Sequence, residues 1–434
     1  MTPQANFTVL APIDPAQENK LRSLLDSMNF ALGRVDPNNT LIPFATLDNV
    51  HYARLLILED NALLDTRAYG GGPVAVYPLY LAFLGDMDGD LDAFFRQLVA
   101  RAGNGLRQVF SCCLGFNDTT DLASWMERQN APSIAVYVNW RGRTVLQIRE
   151  EAALRDALEK YLADNADAFR QLGPREVHTR LRRFVAQEIA ADRLKLTAEQ
   201  PTPLGWWVGN ALHLIGLPSI GLILLPLLIL AAPIYVICLR RLEKTDPELC
   251  WRVDPEYSEM LADAEDHCVT NQFTAMGSVK PGLVRRLTLS GVLTTVNWAA
   301  RHITRPGRLG RIRTIHFARW VYLDRKKRMV FFSNYDGTVE SYMDDFINKT
   351  GFGLNAVFSN GIGYPRTNWL VLDGCQDEQK YKDFLRRHTL PSQVWYKAYP
   401  GLTAIDLERN TRIRQGLEAP SLNADALREW VAFL

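Results

Sequence analysis

Sulfur chemistry and the common catalytic signatures are what this sequence most lacks. Its six cysteines (Cys112, Cys113, Cys238, Cys250, Cys268 and Cys375) form no CxxC pair and no ligand-like spacing, so neither a disulfide framework nor a metal centre is expected. They read as reduced thiols packed as small hydrophobes. No P-loop, GxSxG, HExxH or Rossmann fingerprint falls between a strand and a helix that would support it, which leaves phosphoryl transfer and triad hydrolysis without residues. The opening MTPQANFTVLAPID lacks the basic and apolar regions of a secretory signal, and a cytoplasmic face is the expectation. What is present is a chain of 434 residues, 47% hydrophobic and 22% charged, enough for two or three domains with real cores. The net charge of +1 conceals a basic stretch from Lys280 to Arg328, with 13 Lys or Arg and one acid, which seeks anions such as lipid head groups.

The chain repeats itself. NVHYARL (49–55) returns as TIHFARW (314–320), and FTVLAPIDP (7–15) as FTAMGSVKP (273–281). DGDLDAFFRQLVARAGNGLRQVFS (88–111) aligns with DGTVESYMDDFINKTGFGLNAVFS (336–359), and APSIAVYVNWRGRT (131–144) with LPSQVWYKAYPGLT (390–403). Four blocks in one order make an internal repeat of about 150 residues. Periodicity within the first copy predicts strands at 7–13, 51–58, 79–84 and 106–112 and helices at 15–28 and 91–101, a βαββαβ or ferredoxin-like unit. A helix, a strand at 134–140 and a helix follow, and the second copy runs in parallel. The predicted class is α+β: repeat A over 1–165 and repeat B over 271–434, packed as a pseudo-dimer or an α/β barrel. Between them lie a basic helical linker (166–200), an apolar segment (201–239) and a second linker (240–270).

The apolar segment, PTPLGWWVGNALHLIGLPSIGLILLPLLILAAPIYVICL, has 39 residues without a formal charge. It is long enough to span a hydrocarbon core of ~30 Å. Arginines and lysines flank both of its ends, and the positive-inside rule then favours a helical hairpin turning at GLPS over a single span. The first helix of repeat B is uncharged from Leu287 to Ala300 and bracketed by arginines, which suits either a bilayer surface or a buried core. The acidic run DAEDH (263–267) reads as a solvated turn or a cation site.

His51 and His316 occupy the same place in the two repeats, each followed three residues later by an arginine, Arg54 or Arg319. Positions i and i+3 on a strand face opposite ways, so a joint grip on a ligand would need a bulge, and both core histidines and ligands remain open readings. The Asp-Gly pairs at Asp88 and Asp336 suit a helix cap and a turn. GDMDG (85–89) resembles the GxxDG motif of dye-decolourising peroxidases, and that likeness implies two ferredoxin-like units with haem between them. FARW, SNYDG and VWYKAYPG also resemble a family of bacterial membrane-associated proteins with tandem repeats of the dimeric α/β-barrel type, a likeness that implies architecture and no activity.

Residues peculiar to repeat B are the better site candidates, since a scaffold needs both copies and a site needs one. Trp320, Asn334, Tyr335, Arg366, Trp395, Tyr396 and Tyr399 combine aromatic walls with polar ends, and with the shared Arg319 or with Arg366 meeting its charge they suit an apolar ligand with one anionic end. The expected function is binding of a lipid-like or fatty-acid-like molecule by a protein on the cytoplasmic face of a bacterial inner membrane with anionic head groups. The alternatives are a haem peroxidase with His316 as ligand and Asp336 or Asp88 handling protons, and a non-catalytic scaffold for a partner enzyme. No nucleic-acid partner is expected.

Overall fold

Alternation sorts the long strands into two faces. In β1 (Gln4–Pro12), Phe7, Val9 and Ala11 turn one way, towards helices, while Leu10 turns the other. The computed structural model describes residues 1–434 apart from 32, 71–75, 118, 250 and 266–268. In its first half β1 is followed by α1 (Glu18–Asp26), β2 (Val50–Leu58), β3 (Tyr80–Asp88), α2 (Leu91–Phe110), α3 (Leu122–Gln129), β4 (Ser133–Val138) and α4 (Val145–Asp164). Then come α5 (Pro174–Ala190) and the apolar α6 (Leu204–Thr245). The second half repeats the order with β5 (Thr270–Ser278), α7 (Leu283–His302), β6 (Ile315–Leu323), β7 (Arg328–Asp336), α8 (Val339–Phe358), α9 (Glu378–His388), β8 (Val394–Lys397) and α10 (Ala404–Glu418).

Two four-stranded sheets result, ordered β1-β3-β2-β8 and β4-β6-β7-β5, with every pairing antiparallel. Each half therefore lends its last strand to the other's sheet. Trp395 of β8 lies beside Arg54 of β2, and Val136 of β4 beside Arg319 of β6. One apolar core fills the space between the sheets, from Leu10, Leu56, Ala82 and Leu84 on one side and Met276, Val321, Val330 and Phe332 on the other. Helices cover the outer faces: Phe94, Phe95 and Leu98 pack on Phe7 and Phe83, and Phe346 and Phe358 on Phe331. Each such buried Phe contributes about 1.5–3 kcal/mol. The sheets stay separate, with no strand of one hydrogen-bonded to a strand of the other among the described residues, so they form a sandwich and not a barrel.

Two expectations about local structure change. The segments 106–112 and around Val357 are not strands but the ends of α2 and α8, each 20 residues long. In α2 the buried positions Phe94, Leu98, Ala102, Leu106, Val109 and Phe110 keep the helical spacing to the end, so the 3.6 period continues where a strand was read. The cap at the start of α2 is Asp90, whose side chain accepts from the Ala93 N–H, and not Asp88. Gly89 and Gly337 adopt φ of +92° and +88°, which accounts for glycine after each aspartate.

Candidate functional site

The space between the sheets holds a buried polar cluster built twice. Arg54 reaches from β2 across to the opposite sheet and donates to the carbonyls of Phe273 (3.1 Å) and Ser333 (3.0 Å). Arg319 reaches back from β6 and donates to the carbonyls of Phe7 (2.8 Å) and Gly85 (3.1 Å). Asp86 pairs with Arg319 at 2.6 Å, whereas its counterpart in β7 is Asn334, which accepts from Arg54 at 3.0 Å and donates to Asp86 at 3.3 Å. Two guanidiniums thus share one carboxylate. Burial, with the charge of Arg319 added, lowers Arg54 to about 9 while Asp86 opposes the shift. Burial lowers Arg319 too, offset by its bond to Asp86.

Flanking that cluster are the histidines. Register breaks at Val50/Tyr52 in β2 and Ile315/Phe317 in β6 fall at the two histidines, and these bulges set His51 against Phe317 and His316 against Tyr52 of the other half. His51 Nε2 meets Asp88 Oδ1 at 2.9 Å, and Asp88 Oδ2 accepts from the Val145 N–H at the start of α4 (2.8 Å). His316 Nε2 meets Asp336 Oδ1 at 2.7 Å, and Asp336 Oδ2 accepts from the Ala404 N–H at the start of α10 (2.7 Å). The carboxylates tie each strand end to the helix that follows the exchanged strand. The other imidazole nitrogen is also engaged: His51 Nδ1 lies 3.0 Å from the Tyr399 hydroxyl and His316 Nδ1 3.2 Å from that of Tyr52. Burial raises both phenols well above their ordinary range.

The remaining candidates are scattered. Trp320 packs against Phe331 on the outer face of its sheet, Tyr396 stacks on Phe44, and Arg366 donates to the Asp246 carbonyl near the end of α6. Tyr399 and Asn334 belong to the space between the sheets. Tyr335 and Trp395 do share a cavity, with Phe273, Gln272, Leu261 and Glu265, but it holds only about 50 Å3. That is room for water-sized groups, well short of the 300 Å3 or more of ordinary ligand pockets. No lysine or arginine lines it, so the aromatic walls and the cation expected to meet a carboxylate are not brought together. Of the acidic run DAEDH, residues 266 and 267 lie outside the described residues, as do Cys250 and Cys268. Cys112, Cys113 and Cys375 are buried free thiols.

The largest exposed apolar feature is α6. It is one continuous helix through GLPS, with Pro218, Pro226 and Pro233 inside it, so the expected hairpin turn does not form. From Pro218 to Ile234 every residue but the half-buried Gly221 is exposed. Both ends are fastened to the second half of the body. Near the start, Asn210 accepts from Arg301 (2.8 Å), the Leu214 carbonyl from Trp298 (3.1 Å), and His213 contacts His302 (2.8 Å). Near the end, Tyr235 meets Thr288 (2.8 Å), Glu243 accepts the N–H groups of Trp369 (3.1 Å) and Leu370 (2.6 Å), and Asp246 pairs with Arg285 (2.6 Å) and Lys280 (3.3 Å). At 1.5 Å per residue α6 is about 63 Å long and α7 about 30 Å. The three prolines inside α6, each lacking a backbone donor, are the places where so long a helix can bend. Beside it α7 presents Leu283 and Leu287, 69% and 61% exposed, while Leu289 and Leu293 face the core. The basic stretch is only partly superficial: Lys280, Arg285, Arg319 and Arg328 are buried and paired with Asp246, Asp86 or Asp324. Sequence reasoning missed Glu243, whose only signal was a lone acid inside the basic flank of an apolar helix.

The haem implied by the GDMDG resemblance does not fit these residues. An axial histidine needs a free ring nitrogen and an open face, yet His316 is 1% exposed and has both nitrogens engaged. No group of three His, Cys, Asp or Glu side chains placed to hold a metal ion occurs among the described residues. Among the described residues one helix is long and apolar enough to cross a membrane, in a mixed α+β body with antiparallel sheets. No protein-family model, curated protein or solved structure matches it.

Proposed function

We propose that this protein seats a two-sheet body, made of two ferredoxin-like repeats joined as a pseudo-dimer, on one leaflet of a bilayer with anionic head groups, and binds lipid-like amphiphiles there. One observation carries the reading: α6 is exposed and apolar along its middle, while both its ends are fastened to the same body. A helix threaded through the bilayer would part its ends by the membrane thickness. One held at both ends by one body lies along the interface instead, its apolar residues in the acyl boundary and its polar ends among head groups. Trp206 and Trp207 near its start suit that depth, as does the exposed Trp369 near its end. Leu283, Leu287 and Ile303 of the neighbouring helix region extend the apolar surface, and the exposed Arg286, Arg305 and Arg308 complement anionic lipid.

Vesicle flotation tests this. The full chain is expected to float with phospholipid vesicles, and a variant with residues 215–234 replaced by a short Gly/Ser linker to remain folded by circular dichroism and stay at the bottom of the gradient. Equal flotation of the two would defeat the proposal. In intact cells, thiol labelling at positions 100 and 380 is expected to report the same compartment.

A further inference from the structure

Where β4, the start of α6 and the C-terminal half of α7 meet, a cavity of about 290 Å3 is lined mainly by polar groups, among them Gln4, Asn6, Arg141, Asn297 and Arg301, with Trp206 as an aromatic wall. Arg141 donates to the carbonyls of Arg301 (2.9 Å) and Ala300 (3.3 Å), closing the C-terminal end of α7. Arg301 donates its Nε to Asn210 (2.8 Å) and lies 5.8 Å from the Trp206 ring centre. Its two terminal nitrogens have no hydrogen-bond partner among the described residues, and no carboxylate pairs with either arginine there. His213 and His302 stand beside them and add no negative charge. By contrast, Arg285, Arg319 and Arg328 each face a carboxylate in their buried surroundings. Burial lowers Arg141 to about 10, with the charge of Arg301 adding to the shift.

We infer that this cavity binds a phosphate group, the counter-charge its two arginines lack. Planar guanidiniums suit the oxygens of a phosphate ester, the Asn6 amide, whose oxygen accepts from Ser133, can turn its NH2 to the ligand, and the volume admits a head group. The inference rests on the interfacial placement of α6, which puts the opening beside Trp206 at head-group depth, so an anionic phospholipid is the favoured source of the phosphate.

The test uses the detergent-purified full chain, vesicles of phosphatidylcholine with or without phosphatidylglycerol, and calorimetric titration with inorganic phosphate and glycerol phosphate. Arg301→Gln is expected to reduce the preference for phosphatidylglycerol over phosphatidylcholine about ten- to hundredfold, the effect of losing charged hydrogen bonds. Arg305→Gln removes an exposed charge outside the cavity and is expected to cost about fivefold, as diffuse attraction would. Arg301→Lys, which keeps the charge and loses the fork, is expected to fall between wild type and Arg301→Gln and guards against a folding defect. Phosphate heat that Arg301→Gln abolishes, without any change in lipid preference, would support the cavity and assign it a free phosphate ester. Equal losses in Arg301→Gln and Arg305→Gln together with no phosphate heat would overturn it. Failure of wild type to bind any vesicle would remove the membrane seat alone, and the phosphate titration would then decide the cavity.

Discussion

Asp88 and Asp336 each hold a histidine and the first N–H of a distant helix, and the duplication of that role separates a structural pair from a reacting one. Removing either carboxylate leaves a buried N–H and a buried imidazole unsatisfied. Asp88→Ala and Asp336→Ala are each expected to cost about 3–5 kcal/mol in denaturant unfolding, in nearly equal measure. A proton-handling residue in one repeat would instead show little stability loss at that copy. The inter-sheet ion pair is also testable. Arg319→Leu leaves Asp86 buried without its ion-pair partner and is expected to destabilise by about 3–5 kcal/mol. The residue types and their pairing across repeats were visible in the sequence. The direction of the side chains was not, because the β-bulges beside His51 and His316 invert the i, i+3 rule locally.

The exchanged strands β4 and β8 decide how the two halves hold together. Each completes the sheet of the other half, while the helix after it returns to its own half's aspartate, α4 to Asp88 and α10 to Asp336. A fragment covering 1–200 would lack β8 and leave the edge of β2 open, and a fragment covering 246–434 would lack β4. Expressed alone, each is expected to be insoluble or aggregated. Co-expressed, they are expected to associate into one particle that elutes as a single species on size exclusion. Independent folding of either fragment would show that the exchange adds little. Alternation and turn residues made most strands legible, whereas the ends of α2 and α8 read as strands because Val109, Phe110, Val357 and Phe358 are β-prone residues whose partners lie on a helix-packed face.

Taken whole, the molecule has a polar, doubly clamped interior and one apolar helix outside it, and these call for different environments. The clamp fixes the sheets, and the apolar helix, almost wholly exposed, requires a nonaqueous neighbour to avoid association in water. The sequence by itself determined the duplication, most of the strands, the placement of basic and apolar stretches and the presence of an uncharged segment of membrane length, because these depend on local spacing and composition. Which strand completes which sheet, that the apolar segment is one helix with both ends on the same body, and that Arg141 and Arg301 meet without a carboxylate were decided by tertiary structure. Those outcomes depend on contacts between residues far apart in the chain, where the energy of closing one sheet with the other half's strand, or of fastening a helix end by a buried Glu243, leaves no local periodic signal.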